Sequence, residues 1–126
     1  MKNRDSKRNE TAPPACWLRE AQAACLLLEL PSGKKHILAY AHFVAASLER
    51  GEKVSETLRI TFTGFDIEID GHRMTELLLN LQDLAVKWVR TVPAHYLSWA
   101  GDNSAVVTDI RVHSARNDSR PTPAGT

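Results

Sequence analysis

The chain has 126 residues, of which 43% are hydrophobic and 25% are charged, and its formal net charge is +1. This length corresponds to one domain, which can bury a core without disulfides or metals. Residues 1–12 carry four basic and two acidic side chains and residues 114–126 carry two basic and one acidic, so weakly basic ends flank a mildly acidic middle. That distribution argues against a dedicated nucleic-acid binder, which has a basic face on its folded part. The sequence contains no apolar run that approaches the roughly 18 residues of a membrane span.

Cys16 and Cys25 are the only cysteines, and their spacing matches no metal or redox motif. The N-terminal residues are polar and charged, without the apolar segment that directs export. Reduced thiols in the cytoplasm are therefore expected. Residues 1–12 and 114–126 lack apolar periodicity and are predicted to be disordered tails, which leaves residues 13–113 as a single domain.

Two short apolar runs in the first half of the domain predict a β-hairpin. Residues 25–30 and 36–40 have strand length, and a Pro-Ser-Gly-Lys turn sequence lies between them. Folding about the central Ser-Gly places Leu28 beside Ile37. Because the first run is apolar on both faces, it is typical of a central strand, covered on one side by a helix and on the other by a tail or a partner.

The segments beside this hairpin have weaker patterns. Residues 15–24 fit either a short helix or an irregular lead-in to the first strand. Apolar residues at helical spacing in 41–50 favour a short helix, although an extension of the preceding strand fits the same segment. Residues 105–113 predict a final strand, and a right-handed crossover would let it enter the sheet parallel to a neighbour.

The middle of the chain has the most regular pattern. Apolar and polar side chains alternate on both sides of the two-residue loop Thr63-Gly64, which predicts a tight β-hairpin. The loop length sets one register, in which six apolar residues share a face and Arg59 lies opposite Glu68. The predicted apolar pairs are Leu58 with Ile69, Ile60 with Ile67, and Phe62 with Phe65.

From Met74 to Val92 the apolar residues recur at helical spacing and fill one broad arc. This pattern predicts a long amphipathic helix that ends before Pro93, with Trp88 on its core-facing side. The predicted fold is therefore an α+β two-layer domain. Its mainly antiparallel sheet has about five strands, from two hairpins and a C-terminal strand, and the long helix packs on one face.

Two groups of residues are candidates for a partner-binding surface. Leu79 and Val86 lie one heptad apart on the polar side of the predicted helix, where they are either ordinary exposed apolar residues or a homodimer contact. The predicted loop after the helix carries His95, Tyr96 and Trp99, whose aromatic rings either cap the core or form a binding edge.

One group of residues is a candidate for metal binding or acid–base chemistry. Asp66, Glu68 and Asp70 place three carboxylates on one strand face, with His72 just beyond them. Such a ladder can bind Mg²⁺ or raise a carboxyl pKa, but alternating charges are also typical of a solvated strand face, and Arg59 is predicted to pair with Glu68. The sequence has no histidine metal motif, phosphate loop or nucleophile elbow, so no cofactor is expected.

The preferred hypothesis is a small cytoplasmic, non-catalytic interaction or accessory module, with a homodimer as one form of it. The expected partner is a protein, either a second copy or another chain, and no membrane association is expected. The first alternative is a nucleic-acid-associated protein that uses its weakly basic tails. The second is a small metal-dependent enzyme built on Asp66, Glu68 and Asp70.

Overall fold

Strands account for 57% and helix for 12% of the residues that the computed structural model describes, which are 15–92 and 105–114. The α-helix of this part of the chain, α1, has only eight residues, and no helix in it is long and apolar enough to cross a membrane. In chain order, the elements are β1 (Trp17–Arg19), β2 (Cys25–Glu29), β3 (Lys35–Ala39), a 3₁₀ turn (Tyr40–His42), β4 (Phe43–Arg50), β5 (Glu56–Phe62), β6 (Phe65–His72), α1 (Thr75–Gln82), β7 (Val86–Arg90) and β8 (Val106–Ser114).

The strands form two sheets of four strands each, with the orders β1-β7-β2-β3 and β4-β5-β6-β8. Within these sheets β2 and β7 are parallel, and the other neighbouring strands are antiparallel. The predicted fold, one sheet of about five strands covered by a long helix, is therefore wrong. The chain does combine helix and sheet, but sheet predominates.

Both sheets and the helix contribute to one hydrophobic cluster, so they share a core. Tyr40 lies where the chain passes from the first sheet to the second, and its hydroxyl donates a 2.6 Å hydrogen bond to the carbonyl oxygen of Val86. Burial raises the pKa of Tyr40 to about 12, so this donor keeps its proton at neutral pH. The fully or almost fully buried side chains include Leu26, Leu28, Leu58, Ile60, Phe62, Ile67, Ile69, Met74, Leu77, Leu81, Val86, Val89 and Ile110.

The hairpin of β5 and β6 has the register that its two-residue loop predicts. Arg59 lies opposite Glu68, and the three apolar pairs are confirmed. Gly64 has a φ of 90°, which a glycine adopts without steric cost. Phe65, beside the two-residue loop, is 37% exposed. The other five apolar residues of the two strands face the core at 2% exposure or less: Leu58, Ile60, Phe62, Ile67 and Ile69.

The hairpin of β2 and β3 differs from its predicted register by one residue. Leu28 lies opposite His36, and Ile37 lies opposite Leu27. The turn is longer than expected, because the amide of Leu30 donates a 2.8 Å hydrogen bond to the carbonyl of Lys34. A one-residue shift exchanges the two faces of a strand. Ile37 therefore points away from the core and is 72% exposed.

The predicted helix from Met74 to Val92 is wrong beyond Gln82. Leu84 has a φ of 54°. Two 2.9 Å hydrogen bonds close the helix: the amide of Leu84 donates to the carbonyl of Leu81, and the amide of Ala85 donates to the carbonyl of Asn80. These paired bonds form a Schellman motif, in which the left-handed residue is commonly glycine. With leucine in that place, the sequence carries no stop signal.

The residues after this stop form β7, which inserts between β1 and β2. Val86, Trp88 and Val89 are β-branched or aromatic and have high strand propensity. The pairing with β1 shifts at Lys87, which has no directly opposed residue, so Val86 and Val89 are both buried although they are three positions apart. The buried residues of this irregular strand therefore have the spacing of a helix face, but pairing with β1 and β2 overrides the helical preference.

Three further segments correct the predictions. Residues 41–50, for which a short helix was favoured, form the 3₁₀ turn and β4. Residues 17–19, in the segment that fits either a short helix or an irregular lead-in, pair with β7 as a strand. The final strand, β8, lies antiparallel to β6 and not parallel to a neighbour. The predicted tails lie outside the described residues, except that Ser114 belongs to β8.

The strained helix end predicts that substitution by glycine has different effects on stability at two sites. Leu84→Gly removes a left-handed leucine that costs about 1–2 kcal/mol, so we expect the free energy of unfolding to stay constant or to rise by up to about 1 kcal/mol. Leu79→Gly, at a 47% exposed position inside α1, should lower it by about 1 kcal/mol. Urea denaturation of both variants measures the difference. Equal destabilisation by the two substitutions would contradict the proposed helix end.

Candidate interaction surface

The outer face of the β1-β7-β2-β3 sheet carries an apolar side chain at the same level of every strand. Leu18 lies opposite Trp88, Trp88 lies opposite Leu27, and Leu27 lies opposite Ile37. We call these four residues the apolar row. Ile37 is 72% exposed and Leu18 is 44% exposed, whereas Trp88 and Leu27 are partly buried. The row is therefore a contiguous apolar stripe outside the core.

Local strand geometry directs these side chains outward. Successive side chains of a strand point to opposite faces, so Leu26 and Leu28 enter the core while Leu27 lies on the outer face. In β7 the unopposed Lys87 shifts the alternation by one residue after Val86, which places Trp88 outside and Val89 inside. The run at 25–30 lies between β7 and β3, as predicted for a central strand, and Leu27 is one of its outward-facing residues.

Charged residues of both signs border the apolar row. Glu29 and Lys35 form a 3.9 Å ion pair, and Glu20 and Lys87 form one of 3.8 Å. The guanidinium carbon of Arg90 lies 4.6 Å from the centre of the Trp88 ring, a cation–π distance. A shallow depression of about 450 Å³ runs beside the row and is lined by residues that include Cys25, Leu27, Ile37, Lys87 and Trp88. An apolar centre with a polar rim is typical of protein interfaces.

The partner-binding residues predicted from the sequence have different positions. Leu79 is 47% exposed on α1, whereas Val86 is fully buried in β7. The two residues belong to different elements and form no common surface strip. His95, Tyr96 and Trp99 lie outside the described residues.

The predicted carboxylate ladder lies on the outer face of the second sheet. Arginines pair with Glu68 and Asp70, whereas Asp66 accepts a 3.3 Å hydrogen bond from the Thr61 hydroxyl. Arg111 of β8 makes hydrogen bonds to Asp70 at 2.8 Å, to Asp109 at 2.6 Å and to Glu68 at 3.2 Å. Arg59 also pairs with Glu68, as predicted. In residues 15–92 and 105–114, no three or more histidine, cysteine or acidic side chains are grouped so that they could hold a metal ion.

The electrostatic effect of this cluster is opposite to the one that acid catalysis requires. Hydrogen bonds from Arg111 lower the pKa values of Glu68 and Asp70, because the guanidinium stabilises their charged forms. The same carboxylates raise the pKa of Arg111. Glu68 and Asp70 are therefore anionic and ion-paired at neutral pH. His113 of β8 adds a further contact, with its Nε2 3.5 Å from Glu68.

Sequence reasoning missed Arg111 and most of the apolar row for identifiable reasons. The alternation of Asp109, Arg111 and His113 on β8 indicates a polar strand face, but it does not indicate that β6 is the neighbouring strand. Trp88 was placed on the core side of a helix that ends before it. Of the row residues, only Leu27 had a visible signal, since its strand is apolar on both faces.

Substitution of Arg111 should change how stability depends on pH. A carboxyl group with a lowered folded-state pKa stabilises the protein above its unfolded pKa of about 4, and this contribution disappears as the pH falls through the folded-state pKa. We expect Arg111→Leu to lower the free energy of unfolding at pH 7 by about 1 kcal/mol or less, since the cluster is partly solvated. The difference from the unmodified chain should shrink below about pH 4.

Denaturant titrations from pH 2 to pH 7 measure this effect. Arg59→Leu is the matched control, because it removes a partner of Glu68 but leaves the pairing of Arg111 with Asp70 in place. A pH-independent loss of stability in Arg111→Leu would show that the guanidinium acts through packing rather than charge.

Comparisons of the chain with models of known protein families, with curated proteins and with solved structures gave no match.

Proposed function

We propose that this chain is a non-catalytic interaction module that binds a partner protein through the apolar row. The observation that carries the proposal is the alignment of Leu18, Trp88, Leu27 and Ile37 across all four strands of one sheet, outside the core. Single exposed apolar residues are ordinary on protein surfaces, whereas a contiguous stripe bordered by charges marks a binding surface.

The composition of the row supports protein binding. Burying a large aliphatic side chain from water stabilises a complex by about 1.5–3 kcal/mol, and Ile37 retains most of its area for that purpose at 72% exposure. Tryptophan and arginine are the residue types most enriched at energetic centres of interfaces, and Trp88 and Arg90 lie in contact on this face. The ion pairs of the rim remain accessible at its border.

The charged face of the second sheet supports catalysis less well. Glu68 and Asp70 are paired with Arg59 and Arg111, and the pKa values of these two carboxyl groups are lowered. A general acid at neutral pH needs a raised pKa. We also propose a reducing compartment such as the cytoplasm, because Cys16 and Cys25 are free thiols.

The proposal predicts that charges placed on the apolar row weaken partner capture at least tenfold. The double variant Leu18→Glu and Ile37→Glu alters the two most exposed row residues. The control, Val44→Glu and Val54→Glu, alters valines that are 60% and 69% exposed elsewhere. Each variant is used to capture proteins from a lysate of the organism that makes this chain, and the captured proteins are quantified. At least one protein should be retained at least tenfold less by the row variant than by the unmodified chain, and the control should retain it fully.

A tenfold loss corresponds to about 1.4 kcal/mol, which is less than the contribution expected from one buried row residue. Thermal denaturation must show that both double variants remain folded. If the unmodified chain and the row variant capture the same proteins in equal amounts, the apolar row is not the binding surface.

A further inference from the structure

Strand β3 is an end strand of its sheet, and within residues 15–92 and 105–114 no strand pairs with its outer edge. Antiparallel residue pairs alternate between hydrogen-bonded and non-bonded. The amide of Tyr40 donates a 2.9 Å hydrogen bond to the carbonyl of Ala24. The amide of Leu30 donates a 2.8 Å hydrogen bond to the carbonyl of Lys34. By this alternation His36 and Leu38 bond to β2. The backbone groups of the other three residues of β3 point away from the sheet: Lys35, Ile37 and Ala39.

We propose that a second copy of this chain is a partner of this surface: it pairs with this edge, where Ile37 of each apolar row contacts its equivalent in the other copy. The two β3 strands run antiparallel about a twofold axis at Ile37, and the two four-stranded sheets become one sheet of eight strands. The inference rests on the proposed function and names a partner. A symmetric contact of this kind is isologous, so the same surface serves both copies.

The hydrogen-bonding groups of β3 select this register. Centring the pairing on Ile37 places it opposite its own equivalent and places Lys35 opposite Ala39 of the second copy. Every outward-facing amide and carbonyl of the strand then has a partner, which gives six hydrogen bonds across the contact. Moving the centre by one residue in either direction reduces the number to four, because it leaves an outward-facing residue without its pair.

The side chains favour the same arrangement. The Ile37 side chains of the two copies lie next to each other and make an apolar contact. The two apolar rows then join into one stripe of eight side chains. Lys35 lies opposite Ala39 and not opposite a second lysine, which avoids the repulsion of like charges across a strand pair. It also retains Glu29, 3.9 Å away in its own chain.

The other sheet edges of the described chain are less suited to pairing. Strand β1 has three residues. The register of β4 with β5 shifts between Phe43 and Ala45, and the register of β6 with β8 shifts between Asp70 and Gly71. Short strands, bulges and charged side chains are the features that prevent edge-to-edge association. Strand β3 pairs without a shift, and an exposed isoleucine lies at its centre.

Two substitutions of one residue test the register. Ala39→Lys places two lysines opposite each other at both ends of the contact, whereas Ala39→Glu places a glutamate opposite Lys35 of the second copy. Sedimentation equilibrium of the full chain from about 1 to 500 μM, spanning typical weak to moderate self-association, gives the dissociation constant. We expect the unmodified chain to dimerise. The dissociation constant should be at least tenfold higher for Ala39→Lys and should not rise for Ala39→Glu.

A monomer at every concentration, or equal dissociation constants for the two variants, would overturn the inference. Neither result overturns the proposed function, whose capture experiment scores loss of any protein from the apolar row. Conversely, equal capture by the row variant together with a register-dependent dimer would leave the edge contact in place and remove the outer face as a site for other proteins.

Covalent trapping gives a second readout that does not depend on the folding of the Ala39 variants. In a Cys25→Ser background, Ile37→Cys places two thiols at directly opposed positions, where the Cα separation of about 5.5 Å suits a disulfide. Oxidation with diamide should give a covalent dimer. Val44→Cys, at a 60% exposed position on β4, is the control. Equal yields of dimer from the two variants would contradict a specific contact at Ile37.

Discussion

The structure depends on the insertion of β7 between β1 and β2. This strand is paired on both sides, antiparallel to β1 and parallel to β2. Its Val86 carbonyl accepts the Tyr40 hydroxyl at the passage between the two sheets, and the amide of Val92, just beyond it, bonds the carbonyl of Val107 in β8 at 3.0 Å. The same strand places Trp88 in the apolar row. The first sheet, its link to the second and the candidate surface therefore all require residues 86–90 to be extended.

Approximate energies explain why the chain leaves the helix to form this strand. A left-handed leucine at position 84 costs about 1–2 kcal/mol. Burial of Val86 and Val89 returns about 1.5–3 kcal/mol for each side chain, and the strand pairs its backbone on two sides. Burial outweighs the strain. The two outer faces then differ in kind. Arg59 and Arg111 pair with Glu68 and Asp70 on one face, whereas the apolar row of the other retains surface that water solvates poorly.

The sequence predicts those features that local chemistry determines. The two-residue loop at Gly64 and the strict alternation around it specify the β5–β6 register, which the structure confirms. The β2–β3 register was missed by one residue, because a longer turn closed by Leu30 and Lys34 is not distinguishable from a tight one by composition. The helix end was missed because leucine replaces the usual glycine. Arg111 was missed because the pairing of β6 with β8 joins distant parts of the chain, which periodicity does not report.

Nuclear magnetic resonance of the full chain tests the central claim most directly. The account predicts extended backbone chemical shifts for residues 86–90 and through-space contacts between backbone protons of Trp88 and those of both Leu18 and Leu27. It also predicts a break in helical shifts at Leu84, where φ is 54°. Helical shifts that continue without interruption from Thr75 to Val92, without contacts from Trp88 to either strand, would contradict the insertion of β7 and the apolar row that it positions.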